Sequence, residues 1–192
     1  MKQYYYTVAS LPALKLEEQP FLSLEEFLEI CAIEMDGADL NYVASARTRL
    51  EGEDAVGNAT SPSELQGLAV EWNRLLREFQ QQAAILRAQN LGWEAERLPR
   101  PDMQDATIPE RLRQILNEET PLKQELGVLR WLWSMAESLE TGHHFDREKL
   151  FLYHLKLQIA LRRSFISDSD AGDEEFDRQY NVVAEELMEI AT

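Results

Sequence analysis

The chain has 192 residues, of which 44% are hydrophobic, and a formal net charge of -16 at pH 7. This length suits one domain or two small ones, and the mean hydropathy of -0.41, with charges interrupting each apolar run, argues against a membrane span. Because so acidic a surface repels nucleic acid and anionic lipid, we expect neither as a direct partner.

The first element is a tyrosine-rich segment that starts with Tyr4, Tyr5 and Tyr6 and continues with apolar residues. It must be packed, because it would otherwise expose a large apolar patch. Tyr4, Tyr6 and Val8 alternate as in a strand, whereas Tyr4 and Val8 also share one face of a helix. No partner strand is evident, so we favour a helix. The segment lacks the features of a secretory signal, so we expect a cytoplasmic protein.

The second element is a helix whose start has the pattern of a capping box between Ser23 and Glu26. Gly37 is predicted to end this helix. Cys31 lies on its apolar face and is the only cysteine, so no intrachain disulfide can form. We interpret Cys31 as a small core residue rather than a reactive thiol.

The middle of the chain alternates predicted helices with breaks. A short helix is expected over about 39–50, a glycine-rich loop over 51–63, and a long amphipathic helix over about 61–89. A proline-rich stretch over 98–108 reads as a surface excursion, or a domain boundary, within a single helical domain of residues 1–192.

Three further breaks organise the second half. Pro109 and Pro121 start helices, the second of which ends near Gly142. Asp146 caps the next helix, which is apolar around most of its circumference and should lie in the middle of a bundle. A last helix is expected over about 174–190. The sum predicts an all-α fold, an irregular multi-helix bundle with several proline-broken helices.

The residues that could carry chemistry are few. Glu140 and His143 have the i, i+3 spacing of a di-iron bundle, but a second such pair is missing, and His143 is better interpreted as a histidine at a helix end. The other histidines are His144 and His154. Phosphate-binding glycine loops and nucleophile elbows are absent. We therefore expect no catalytic residue, no metal, no cofactor and no enzyme activity.

Two pairs of residues are candidates for a partner surface. Trp131 and Trp133 point to directions about 200° apart on a helix, so one could meet a partner while the other is core, or both could pack inside one bundle. Arg162 and Arg163 follow the most apolar helix. They could complement its dipole, pair with the acidic loop over 168–170, or contact an acidic partner.

The N-terminal block Tyr-Tyr-Tyr-Thr-Val-Ala-Ser-Leu-Pro over residues 4–12 resembles a little-characterised family encoded in bacterial V-type ATPase (V-type ATP synthase) operons. The Leu-Ser-Leu-Glu-Glu-Phe start at 22–27 and the block over 153–162 also resemble that family. The first and last of these blocks are also distantly similar to the C subunit (the eukaryotic d subunit) of these ATPases. That subunit is an all-helical cap that joins the shaft to the membrane rotor ring. This chain is much shorter than a C subunit.

The resemblance implies a non-catalytic structural subunit or accessory factor of a bacterial V-type ATPase, in the C-subunit role. Its partners would be the shaft, the membrane rotor, or both, and it would lie in the cytoplasm at the inner face of the membrane, held by the complex and without inserting directly. The alternative is a stand-alone cytoplasmic helical adaptor that binds an unrelated protein. The candidate interface residues are Tyr4, Tyr5, Tyr6, Trp131, Arg162 and Arg163.

Overall fold

The computed structural model describes residues 2–49, 67–93 and 107–167. Within these ranges all regular structure is helical, which confirms the all-α prediction. None of the helices found there is both long and apolar enough to cross a lipid bilayer. The helices are α1 (Tyr5–Ser10), α2 (Leu24–Glu34), α3 (Gly37–Ala44), α4 (Leu68–Asn90), α5 (Ile108–Leu116), α6 (Pro121–Leu139) and α7 (147–167).

Helix α7 lies between two groups of buried side chains. On one side Phe151 and Leu155 join a core built mainly from α4, α5 and α6. On the other side Leu150 and Leu157 join a core built from α1, α2 and α3, with Phe27 of α2 fully buried there. The prediction that this apolar helix lies in the middle of the bundle is therefore confirmed.

The tyrosine-rich segment forms a helix, as favoured over a strand. The Tyr4 amide donates to the carbonyl oxygen of Phe145 at 2.6 Å, just before α7 begins. The Tyr153 hydroxyl of α7 donates to the carbonyl oxygen of Pro12 at 2.8 Å, just after α1 ends. The segment is thus held to α7 at both ends.

Helix starts follow the sequence signals closely. The Ser23 hydroxyl accepts from the Glu26 amide at 3.2 Å and the Glu26 carboxylate accepts from the Ser23 amide at 2.8 Å, so the predicted capping box is present. Thr120 and Asp146 each accept from the amide three residues further on and cap α6 and α7. These side chains satisfy amides that have no partner inside their own helix.

The predicted end of α2 is wrong. Gly37 does not terminate α2, which ends at Glu34, but is the first residue of α3. The reason is Asp36, whose carboxylate accepts from the amide three residues further on at 2.9 Å and caps α3. Helix α3 then stops at Ala44, earlier than expected. Where a strong N-cap precedes a glycine, the start signal decides the local structure.

Several predictions concern residues outside the described ranges: the whole loop over 51–63 with the helix start beside it, nearly all of 98–108, the loop over 168–170 and the helix over 174–190. Of the long helix predicted to begin near 61, the structure describes α4 from Leu68 onward. Pro109 and Pro121 both occupy the first turns of helices, as predicted.

A buried histidine joins α7 to the end of α3. His154 is 5% exposed, and its Nδ1 lies 2.8 Å from the Val43 carbonyl oxygen, so Nδ1 carries the proton and donates it. Its ring lies 5.3 Å from the Phe27 ring. Burial lowers the pKa of His154 below its ordinary value of 6.5, because the charged imidazolium would lose its hydration, while the bond to Val43 acts weakly in the other direction.

We expect this histidine to make stability pH-dependent. In the unfolded chain His154 binds a proton as the pH falls below about 6.5, whereas in the folded chain it stays neutral to a lower pH. The unfolded state therefore binds more protons than the folded state, and the free energy of unfolding falls as the pH is lowered. The free energy of unfolding should fall between pH 7 and pH 5.5 by up to about 1.4 kcal/mol per pH unit. Urea unfolding across that range measures it.

His154→Gln should flatten this slope, because its amide can still donate to Val43 but does not titrate. The matched control is His144→Gln, which removes an exposed histidine and should leave the slope unchanged. An unaltered slope in His154→Gln would show that another group sets the pH dependence.

Candidate functional site

The structure separates the three tyrosines that the sequence groups together. Tyr4 is 3% exposed and belongs to the core, whereas Tyr5 is 56% and Tyr6 is 79% exposed. The Tyr5 ring stacks on Phe145 with 4.0 Å between centroids. Tyr4 is therefore an anchor for the N-terminal segment, and Tyr6 is the member of the set with most surface to offer a partner.

Tyr4 is anchored through a polar network under α1. Its hydroxyl donates to the carboxylate of Asp39, which also accepts from Nη1 of Arg147 at 2.9 Å. The Arg147 guanidinium lies 4.5 Å from the centre of the Tyr42 ring. Burial and the neighbouring Asp39 carboxylate raise the pKa of Tyr4, so its hydroxyl stays protonated and donates at neutral pH.

The same network reaches the start of α4. Glu148 is buried, and its Oε1 accepts from Nε of Arg147 at 3.3 Å. Its Oε2 is also buried and has no hydrogen-bond partner among the residues that the structure describes. A Cβ at Gly67 would lie 3.0 Å from Oε1 and 3.2 Å from the Tyr42 hydroxyl, and Gly67 has a φ of 57°. Only glycine fits both the space and the backbone at that position.

The sequence does not predict this network. Asp39 and Arg147 are 108 residues apart, and each lies in the sequence where it looks like part of a local helix start. The one available signal was that Arg147 and Glu148 open a helix whose other faces are almost wholly apolar. Charged side chains at such a place need partners from other helices.

His143, Asp146 and Glu148 offer ligand atoms that all lie within 4.8 Å of one another. Each of the three residues has at least one partner within the chain, although Glu148 Oε2 has none among the described residues. His143 Nδ1 lies 2.7 Å from Asp146 Oδ2, while Asp146 Oδ1 caps α7 and Glu148 pairs with Arg147. The positive charge of Arg147 beside Glu148 also opposes a cation. We therefore interpret the group as the start of α7.

Glu140, which has the i, i+3 spacing of a di-iron site to His143, forms ion pairs with two lysines. It accepts from Lys156 Nζ at 2.7 Å and from Lys149. Burial alone would raise the pKa of Glu140, but the hydrogen bonds from these lysines outweigh it and lower the pKa. The carboxylate therefore fixes the turn between α6 and α7.

Both tryptophans of α6 lie in the core. Trp131 is 7% exposed and its ring stacks on Phe79 of α4 with 4.1 Å between centroids. Trp133 is 8% exposed, and Nζ of Lys156 lies 5.3 Å from its ring centre. Of the two alternatives, the structure matches the one with both inside the bundle. Trp131 therefore has little surface left for a partner.

The two arginines of α7 form ion pairs within the chain. Arg162 Nε donates to Glu125 Oε1 of α6 at 2.7 Å, and Arg163 pairs with Glu17. The Arg162 side chain is 58% exposed and that of Arg163 only 17%. Their expected pairing with residues 168–170 lies outside the described part of the chain. Arg162 is the more accessible of the two.

Cys31 is fully buried between α2 and α7, as interpreted from sequence. Burial raises the pKa of its thiol to about 12, so at neutral pH it is not a thiolate. This environment is that of a core residue rather than of a nucleophile.

Comparison with known proteins yielded no relative. No protein-family model, no curated protein and no solved structure matches the chain. The resemblance to the V-type ATPase operon family therefore stays a prediction, which rests on the residue blocks quoted above.

The Arg147 network gives a stability prediction. Arg147→Ala would leave Asp39 and Glu148, whose side chains are 14% and 6% exposed, without their cation. We expect a loss of about 2–4 kcal/mol in the free energy of unfolding, because a buried carboxylate without its partner keeps its desolvation penalty. Chemical denaturation measures it.

The matched control is Arg113→Ala, which breaks an exposed pair with Glu110 at 3.5 Å. That change should cost less than about 1 kcal/mol. Equal losses in the two variants would contradict a structural role for the Arg147 network.

Proposed function

We propose that this protein is a non-catalytic structural subunit or accessory factor of a bacterial V-type ATPase, acting in the C-subunit role between the shaft and the membrane rotor. One observation carries the proposal. The tyrosine block that resembles the ATPase operon family is fixed to the core through Tyr4 and presents Tyr5 and Tyr6 outward.

The way the block is held fits a component that transmits force. Besides the bonds of Tyr4 and Pro12 to the α7 region, the Thr7 hydroxyl donates to the Glu34 carboxylate of α2 at 2.6 Å. A short helix tied at its start, middle and end keeps its outward side chains in place before a partner binds. Preordered surfaces lose less entropy on binding.

The exposed side chains also suit a protein partner. Tyrosine is enriched at protein interfaces, since its ring offers a large area with only two rotatable bonds. In this proposal Tyr5, Tyr6 and the accessible Arg162 contact other ATPase subunits, with the protein in the cytoplasm at the inner face of the membrane and held there by the complex. Nucleic acid and direct membrane insertion have no part in it.

The tyrosines give a prediction that separates folding from assembly. Tyr4→Ala should lower the free energy of unfolding by about 3–5 kcal/mol, because it removes a buried ring. Tyr6→Ser should leave unfolding nearly unchanged but reduce the amount of ATPase catalytic and shaft subunits that co-purify with the tagged protein from native membranes. Thermal unfolding and quantitative mass spectrometry measure the two effects.

Leu91→Ser is the matched control, since Leu91 is 63% exposed at the far end of α4. It should keep both stability and co-purification. Recovery of the wild-type protein without any ATPase subunit would contradict the proposal, and recovery with one unrelated protein would favour the adaptor alternative.

A further inference from the structure

The region around α2 has an unusual charge pattern. Between Lys15 and Arg47 the sequence contains eight acidic residues and no lysine or arginine. Carboxylates there must find partners at distant positions or remain unpaired. Which of them remain unpaired indicates where a cationic partner could bind.

Six of the eight carboxylates have a partner within the chain, and these partners come from several elements. The pairs are Glu17 with Arg163, Glu18 with Lys15, Glu26 with Ser23, Glu34 with Thr7, Asp36 with Lys2, and Asp39 with Arg147. The other two, Glu25 and Glu29, have no hydrogen bond or ion pair among the residues that the structure describes.

The two unpaired carboxylates lie on the same side of α2. Phe27 and Cys31 define its buried face. At 100° per residue, Glu25, Glu29 and Ile33 follow one another at i, i+4 and i+8 along the opposite face. Ile33 is 81% exposed. The outer face of α2 therefore carries two carboxylates followed by an apolar side chain.

This face adds little to the stability of the helix: the helix dipole favours Glu25 in the first turn, but Glu25 lies one turn from the like charge of Glu29. Like charges at i, i+4 destabilise a helix by a few tenths of a kcal/mol. Carboxylates at the starts of the other helices are paired with cations, as Glu71 with Arg74 and Glu119 with Lys123. Among the described residues the Glu118 carboxylate also lacks a partner, but Glu25 and Glu29 differ from it in lying one turn apart on a single helix face, beside the exposed Ile33.

We infer that the outer face of α2, formed by Glu25, Glu29 and Ile33, binds a cationic helix of a V-type ATPase subunit. This inference rests on the function proposed above and names the chemistry of the partner. That helix carries lysine or arginine at i and i+4, opposite the two carboxylates, and an apolar residue one turn further on, opposite Ile33.

The tyrosine helix extends this face. Tyr6 and Ile33 immediately precede Thr7 and Glu34, the two residues joined by the hydrogen bond between α1 and α2. Exposed aromatic and aliphatic side chains thus flank that bond, at the apolar end of the acidic line. Salt bridges to Glu25 and Glu29 would set the register of the partner helix, and burial of Ile33 would add affinity.

The test uses the full-length tagged protein recovered from native membranes. The Glu25→Lys/Glu29→Lys variant should recover at least about tenfold less ATPase shaft and rotor subunit than wild type, because it places like charges against the partner. Glu25→Gln/Glu29→Gln, which keeps the shape, should give a smaller loss in the same direction. Thermal unfolding verifies that each variant is folded.

The control is Glu110→Lys/Glu118→Lys, which changes two exposed glutamates near the ends of α5 by the same total charge. It should recover as much ATPase subunit as wild type. If the Glu25/Glu29 variants also match wild type, this inference is overturned while the proposed function stands. If the wild-type protein itself recovers no ATPase subunit, the proposed function fails, and with it this inference.

Discussion

The architecture depends on one constraint, which is that helix α7 must be covered on every side. Its residues 150–157 are all buried, so no face of this stretch is left for solvent. A helix that is apolar all round is stable in water only if other elements surround it. The remaining helices provide that cover, α1, α2 and α3 on one side and α4, α5 and α6 on the other.

The polar residues of α7 connect these two sides. Arg147 and Glu148 join Asp39 of α3 to the start of α4, and His154 donates to the carbonyl oxygen of Val43. Each of these groups would be costly to bury alone. Because Arg147 and His154 each find a partner on α3, the same contacts that satisfy these two groups also fix how α3 lies against α7.

The sequence allowed good prediction wherever the signal was local. The capping box at Ser23, the proline starts and the apolar circumference of α7 depend on neighbouring residues, and the structure confirms them. The predicted end of α2 at Gly37 is wrong because Asp36, just before that glycine, caps the next helix. The Asp39–Arg147 network escaped prediction because its members are distant in sequence, and periodicity alone left both alternatives open for Trp131.

Exposure and charge divide the surface into parts that the fold uses and parts that it does not. Most carboxylates around α2 are paired within the chain, and Tyr4 is buried, so these groups are explained by folding. Folding does not explain four other side chains, which are exposed and contribute little to stability: Tyr6, Ile33, Glu25 and Glu29. In the proposed V-type ATPase role, these residues bind other subunits together with Tyr5 and Arg162.

Hydrogen exchange at single amides tests most directly whether α7 orders the N-terminal segment. The Tyr4 amide, bonded to Phe145, and the Val8 amide, bonded to Tyr4, should exchange with an opening free energy within about 1 kcal/mol of that for Leu155 in α7, because the elements should open as one unit. Rapid exchange at Tyr4 and Val8 while Leu155 stays protected would show that the segment opens independently, and would contradict the account.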